Sequence, residues 1–132
     1  MSVAKKSDFG FTKLVVADLE RCVAFYKSVA GLEEVNRVDA DIAGRKISEI
    51  MLQATTPGGA NLVLLHFHDL PRPSADEVIL GFITPDLEAF VKRTREASGS
   101  VYDEIKSMPE HGVRVAFVKD PEGHLIEVVQ LL

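Results

Sequence analysis

The sequence predicts one α+β domain made of two similar modules in tandem, each with a strand, a helix and then two or three further strands. Two repeats lead to this prediction. A capped amphipathic helix recurs after 68 residues, and a Pro/Gly turn followed by an apolar strand recurs after 64 residues. Since order and spacing are both kept, we interpret the chain as an internal duplication. The alternative is that short caps and turns recur by chance in any α+β protein.

Each predicted helix carries recognisable start and stop signals. The first opens at Asp18, has apolar residues at the i, i+3, i+4, i+7 spacing of a helix with one buried face, and closes at Gly31. The second follows a threonine cap at Thr84, has Pro85 at its first helical position, and closes at Gly99. Both patterns predict helices that bury a single face.

The predicted strands flank these helices. The predicted helices cover 18–30 and 85–98, and the predicted strands cover 11–16, 45–54, 61–67, 78–83, 112–119 and 124–131. Module one spans about 9–69, a proline-containing connector spans 70–76, and module two spans about 77–132. One helix can cover only one face of each sheet. Two such sheets side by side therefore predict a cup in which a ligand would lie.

The composition excludes several classes of protein. The chain has 132 residues, 46% of them hydrophobic, which is enough for a hydrophobic core without disulfides or metals. A net charge of -5 with scattered basic residues argues against nucleic acid, and no apolar run is long enough to cross a membrane. The single cysteine and the absence of a secretory signal predict a cytoplasmic protein.

Two segments carry a family resemblance. The stretch from Thr12 to Tyr26 with the Gly31-Leu32 that follows, and the stretch from Asp120 to Glu127, resemble the vicinal oxygen chelate superfamily. This superfamily includes glyoxalase I, methylmalonyl-CoA epimerase, extradiol dioxygenases, fosfomycin-resistance proteins and bleomycin-binding proteins. The resemblance implies a pair of βαβββ modules forming a cup-shaped mixed sheet, and it implies a homodimer.

The resemblance also identifies four positions to inspect. In the metal-dependent branches, each module gives one metal ligand early in its first strand and one in its last strand. Here those positions fall on Phe11 and Val63 in module one, and on Val78 or Ile79 together with Glu127 in module two. Three of the four are hydrocarbon side chains, which cannot bind a divalent ion. We therefore expect neither a metal nor another cofactor at this site.

Glu127 is the candidate functional residue. In an apolar cup, its carboxylate is suited to act as a general base or to accept a hydrogen bond from a ligand; the alternative is a structural residue paired with a cation. Strand alternation places Lys13 in the cup near Glu127, and a similar parity argument turns Arg114 inward, with a solvated strand position as the alternative for both. The predicted cup residues are Phe11, Lys13, Val63, Leu65, Val78, Arg114 and Glu127.

The remaining polar and thiol groups suggest no second site. His66 and His68 fall on one side of a strand and have no further ligand at a suitable spacing, so we expect a solvated edge. His111 and His124 flank turns and are expected at the surface. Cys22 lies on the apolar stripe of the first helix and is interpreted as a small core residue.

These observations favour a protein that binds a small, largely apolar or aromatic molecule in a metal-free cup, similar to the bleomycin-resistance type. One alternative is a lyase or isomerase in which Glu127 moves a proton and Lys13 or Arg114 holds the developing negative charge. A further alternative is a metal-dependent enzyme of the glyoxalase or dioxygenase kind.

Overall fold

The computed structural model describes residues 9–42, 44–53, 56, 59–69 and 78–132, so the predicted connector 70–76 lies outside the described residues. The first module contains β1 (Phe11–Val15), α1 (Leu19–Ala30), β2 (Glu33–Ile42), β3 (Arg45–Gln53) and β4 (Asn61–Phe67). The second contains β5 (Ile79–Ile83), α2 (Leu87–Glu96), β6 (Ser100–Met108), a short 3-10 helix (Pro109–His111), β7 (Val113–Lys119) and β8 (Leu125–Leu131). In the described part of the chain, no helix is long and apolar enough to span a membrane.

The two sheets share one topology. The first has the strand order β1-β4-β3-β2 and the second has the order β5-β8-β7-β6. In each module the first strand runs parallel to the last, and the other neighbours are antiparallel. The predicted pair of tandem βαβββ modules is confirmed.

Two strands were not predicted from the sequence. β2 is almost entirely exposed along its ten residues, and β6 alternates between exposed and half-buried residues with two irregularities in its pairing to β7. Both are edge strands of their sheets. An edge strand that buries little has no apolar alternation for a sequence pattern to detect.

The caps of α1 are the residues predicted from the sequence, whereas the caps of α2 differ from the prediction. Asp18 accepts a hydrogen bond from the Arg21 N–H at 3.1 Å, and Gly31 closes α1 at φ 69. In α2 the cap is Asp86, not the expected Thr84, and the helix ends at Glu96, before Gly99. Gly99 is required for a different reason, since a Cβ there would lie 2.6 Å from a backbone oxygen.

Both sheets bury the same kind of face. The core joins both helices to even-numbered residues of β1, β3, β4, β7 and β8, which are Leu14, Ile50, Leu52, Leu62, Leu64, Ala116, Val118, Ile126 and Val128. Their odd-numbered neighbours point to the opposite faces. These opposite faces are the surfaces that neither helix covers.

A buried turn after β7 ties the second module to the first. Asp120 accepts hydrogen bonds from the Tyr26 hydroxyl at 2.7 Å and from the backbone of Glu122 and His124, and its carboxylate lies 2.7 Å from His124 Nδ1. His124 is only 4% exposed, so the prediction that it lies at the surface is wrong. The histidine is buried because Asp120 provides it with a charged partner.

Glu122 extends this turn to the start of α1. Its carboxylate accepts hydrogen bonds from the backbone N–H groups of Ala17, at 2.9 Å, and Asp18, at 2.7 Å. The Cys22 sulfur lies 3.4 Å from the same carboxylate. The carboxylate therefore satisfies two part-buried donors at a helix N-terminus. Burial raises the pKa of the Cys22 thiol, and the neighbouring carboxylates of Glu122 and Asp120 raise it further. Cys22 lies in the core, as expected.

At the equivalent positions of the internal repeat, the sequence keeps neither partner of this contact. The residue equivalent to Ala17 is Pro85, which has no N–H to donate, and the residue equivalent to Glu122 is Gly58, which has no carboxylate. At the start of α2, the Gln130 side-chain oxygen instead accepts a hydrogen bond from the Leu87 N–H at 2.8 Å. Donor and acceptor are thus missing together from the second position.

We predict that Glu122→Ala lowers the free energy of unfolding by about 2 kcal/mol, because it leaves two N–H groups of the α1 start without their acceptor. Urea denaturation monitored by circular dichroism measures this loss. The control is Glu104→Ala, which removes an exposed ion pair with Arg95 and should cost less than about 0.5 kcal/mol. Equal losses in the two variants would contradict the role given to Glu122.

The Asp120 carboxyl predicts a dependence of stability on pH. Burial alone would raise its pKa, but the hydrogen bonds from His124 and Tyr26 outweigh burial and hold the pKa below its usual value. A lowered pKa in the folded state stabilises the fold above the unfolded-state pKa, near 3.9, and this contribution disappears as the pH falls through the folded-state pKa. Asp120→Asn should therefore cost about 2 kcal/mol at pH 7 and progressively less below about pH 4.

Denaturant titrations of both proteins between pH 7 and pH 2.5 test this dependence. Asp103, with a side chain 41% exposed, pairs only with Lys106 in the described part of the chain, so Asp103→Asn should follow the wild-type curve. A difference between wild type and Asp120→Asn that stays constant over the whole range would show that the ionised carboxylate is not the stabilising form.

Candidate ligand-binding site

The open face of the first sheet carries apolar residues and an ion pair. The odd-numbered residues of β1 and β4 lie on it and include Phe11, Lys13, Val63 and Leu65. Val63 and Leu65 are 1% and 2% exposed, whereas Phe11 is 55% exposed. Lys13 Nζ donates to Glu49 Oε2 at 2.9 Å across the sheet. Lys13 is therefore paired within its own sheet.

The open face of the second sheet contains a cavity. Its volume is about 340 Å³, and its lining residues are Met108, His111, Val113, Val115, Phe117, Glu127 and Val129. They come from the end of β6, the short 3-10 helix after it, β7 and β8, all within the second module. Of the seven residues predicted to line the cup, only Glu127 lines this cavity.

Glu127 lies at the centre of that face. On β8 it is paired with Phe117 of β7 on one side and with Gly81 of β5 on the other. Among the described residues, none donates a hydrogen bond to its carboxylate or forms an ion pair with it. The carboxylate is half-buried, and the cavity walls around it are mostly hydrocarbon. The site therefore presents one charged acceptor on an apolar surface.

Two expectations about cations near Glu127 are corrected. Lys13 pairs with Glu49 of its own sheet rather than with Glu127. Arg114 does not turn inward to the cup. It donates to Glu88 of α2, with one bond at 3.2 Å, and lowers the pKa of that carboxyl. The reason is strand parity: the neighbouring even-numbered residues of β7 face the helices, and Arg114 shares their side.

The pairing registers locate the four family positions. Phe11 lies two residues before Lys13, which is opposite Val63. In the second module, Ile79 lies two residues before Gly81, which is opposite Glu127. The structural equivalent of Phe11 is therefore Ile79, whereas Val78 precedes the strand.

These residues do not fit the metal that the resemblance associates with the fold. A catalytic divalent ion needs three or more nitrogen, oxygen or sulfur ligands from the protein, and this donor set supplies one carboxylate. Within the described residues, no group of three or more His, Cys, Asp or Glu side chains is arranged to hold a metal ion.

The histidines divide into three environments. His66 is half-buried, with Nδ1 3.0 Å from the Val16 carbonyl oxygen, rather than on a solvated edge. His68 is exposed, with Nε2 2.7 Å from the Ser48 hydroxyl. His111 is exposed and lies at the cavity rim, where the left-handed Gly112 turns the chain into β7. Sequence reasoning missed His111 as a site residue.

Three further residues were missed because the inward side of β7 was assigned one residue out of register. Val113, Val115 and Phe117 alternate on β7 and line the cavity on the same side as Glu127 and Val129. The alternation was visible in the sequence, but the turn before β8 left its direction open by one residue. Pairing Phe117 with Glu127 fixes that direction.

Comparisons with known proteins show the family to which this chain is similar. Residues 8–128 match the family model of the Glyoxalase/Bleomycin resistance protein/Dioxygenase superfamily. The chain is 31% identical over 133 residues to a lactoylglutathione lyase of Arabidopsis thaliana, covering 96% of this chain and 46% of the relative. It is 27% identical over 121 residues to a lactoylglutathione lyase of Neisseria meningitidis, covering 90% and 87% of the two chains. The chain thus spans about half the length of the plant relatives it matches.

Solved structures show the same fold. A glyoxalase family protein from Bacillus cereus superposes with a TM-score of 0.85 at 17% identity, covering 100% of this chain and 99% of the other. The E144Q mutant of glyoxalase I from Zea mays superposes with a TM-score of 0.73 at 23% identity, covering 92% of this chain and 46% of the other. The family match over residues 8–128 shows that the chain belongs to the Glyoxalase/Bleomycin resistance protein/Dioxygenase superfamily.

Proposed function

We propose that this chain binds a small, largely apolar or aromatic molecule in the cavity of the second module, without a metal ion. The observation that carries the proposal is the Glu127 carboxylate, which has no partner among the described residues and faces a cavity of about 340 Å³ with apolar walls. The bound molecule presents a hydrogen-bond donor or a positive charge to this carboxylate.

The walls supply the affinity. Val113, Val115 and Val129 offer aliphatic surface, and Phe117 offers an aromatic ring beside Glu127. Covering apolar surface contributes about 25 cal/mol per Å², and ring contacts add to it. The volume lies in the range of small-molecule sites, roughly 300–1,000 Å³.

The carboxylate supplies the selectivity. In an apolar environment a charge without a partner is costly, so a ligand that brings a donor or a cation is favoured. An anionic ligand of the same shape would place two like charges together on a surface with little water. The site therefore distinguishes molecules by the sign of their charge.

A second copy of the chain is part of this proposal. Large apolar residues on the open faces of both sheets are exposed, among them Phe11 at 55%, Ile79 at 59% and Ile83 at 74%. Leu131 on β8 adds to them. Exposed apolar surface of this kind supports a homodimer in which the open faces are covered. A cytoplasmic location, inferred from the sequence, stays a prediction.

One alternative is an enzyme in which Glu127 accepts a proton from the bound molecule. The relatives named lactoylglutathione lyase, 31% and 27% identical, favour a lyase. The described residues place neither Lys13 nor Arg114 beside Glu127 to hold a developing negative charge, and the four family positions lack metal-binding side chains. We therefore rank binding above catalysis. Turnover of lactoylglutathione that disappears in Glu127→Gln would reverse this order.

Benzylamine and benzoate test the proposed function directly, because they share a ring and differ in the sign of their charge. We predict that the wild-type protein binds benzylamine at least about tenfold more tightly than benzoate, a ratio equivalent to about 1.4 kcal/mol. Glu127→Gln keeps the shape of the side chain and should reduce the ratio to about one. Ligand-observed NMR titrations measure both dissociation constants.

Glu104→Gln is the matched control, because Glu104 is an exposed carboxylate on β6 that pairs with Arg95, outside the cavity lining. It should leave the preference for benzylamine unchanged. The proposal fails if benzoate binds as tightly as benzylamine to the wild type, if neither compound binds, or if Glu127→Gln keeps the preference.

A further inference from the structure

Gly81 occupies a position where the fold itself does not require glycine. It lies in the middle of the five-residue strand β5, where a glycine loses side-chain packing and weakens the strand. Its φ is not positive, unlike that of Gly31, Gly44, Gly112 and Gly123. A Cβ added at Gly81 would meet no atom within 4 Å. Neither backbone conformation nor crowding explains the residue.

The missing side chain leaves space beside Glu127. Gly81 is the pairing partner of Glu127, and Ile79 and Ile83 on either side of it point to the same face as the carboxylate. In the first module the equivalent position holds Lys13, opposite Val63. In the second module the Glu127 carboxylate therefore has open space beside it at Gly81. In the first module Val63 has the long side chain of Lys13 beside it.

This open flank leads to a second cavity. A groove of about 590 Å³ runs along β5 and is lined by residues of both modules, including Thr12, Leu32, Asn61, Ile79, Gly81 and Ile83. β5 is the edge strand of its sheet, and neighbouring strands lie about 4.8 Å apart. Only β5 lies between Glu127 and the groove, and at Gly81 this strand has no side chain.

We propose that the ligand held by Glu127 is elongated, that its far, apolar or aromatic end crosses Gly81 into this groove, and that Gly81 sets the length of molecule accepted. The groove is mostly apolar, and the Asn61 amide and Thr12 hydroxyl can bond to a polar substituent at that end. This inference rests on the proposed function and adds the shape of the ligand to it.

Two amines of different length test the inference: benzylamine, and 4-phenylbenzylamine, which carries a second ring. The wild-type protein should bind the longer amine at least about tenfold more tightly, since the second ring buries further apolar surface. Gly81→Leu should remove this gain while changing the dissociation constant of benzylamine by less than about threefold. Gly81→Ala should give an intermediate gain. Open space at the added Cβ predicts that both variants fold.

Gly10→Leu is the matched control. An added Cβ at Gly10 also meets nothing within 4 Å, its φ is not positive, and it precedes β1 rather than facing Glu127. It should keep the full gain of the longer amine. Circular dichroism and thermal unfolding of each variant confirm that the fold is retained.

The outcomes separate the two proposals. If benzylamine binds through Glu127 but the second ring adds nothing in the wild type, or if Gly81→Leu affects both amines equally, the inference is wrong and the proposed function stands. If Gly81→Leu keeps the longer amine's advantage and changes the sedimentation coefficient, the glycine serves a contact between copies, and the inference is also wrong. If neither amine binds to the wild type, both proposals fail.

Discussion

Two helices cover two four-stranded sheets, and both helices lie against the same kind of face. One face of each sheet enters a single core with α1 and α2, so each sheet keeps one face that the helices leave uncovered. The residues on that open face determine whether a ligand can bind there. In the first sheet Val63 and Leu65 are buried, and Lys13 forms an ion pair with Glu49. In the second sheet the open face contains a cavity around Glu127.

The segment that carries much of the family resemblance has a structural role in this chain. Asp120 and Glu122 hold the second module against α1 through Tyr26 and the α1 start, and they lie on a buried turn away from the cavity lining. The Glu122 carboxylate satisfies two backbone donors at the α1 start of this chain. The same segment says little about the ligand. That information lies in the residues that face Glu127.

Sequence reasoning identified the elements that bury an apolar stripe and missed those that do not. The helices and six of the strands were predictable from apolar spacing and Pro/Gly turns, whereas β2 and β6 lie at sheet edges with little burial. Contacts between residues that are distant in the chain also could not be predicted from the sequence. His124 is buried because Asp120 and, through it, Tyr26 lie beside it, and Tyr26 is 94 residues distant from Asp120 in the chain.

The candidate site was predictable only in part for a related reason. Glu127 was identified from its place in the last strand, but the side of β7 that faces it depends on a register that the turn before β8 does not reveal. The structure fixes the register through Phe117 opposite Glu127, which turns Arg114 to the helices and Val115 to the cavity. Gly81 gave no local signal either, because its significance appears only when its pairing partner is known.

We propose that hydrocarbon side chains at three of the four family positions leave Glu127 to bind an organic ligand without a metal. Zinc titration by calorimetry, comparing the wild type with Glu127→Gln, is the most direct measurement. We predict no saturable zinc binding by either protein, because one carboxylate does not supply the three or more ligands that the ion needs. Stoichiometric zinc binding by the wild type that disappears in Glu127→Gln would contradict it.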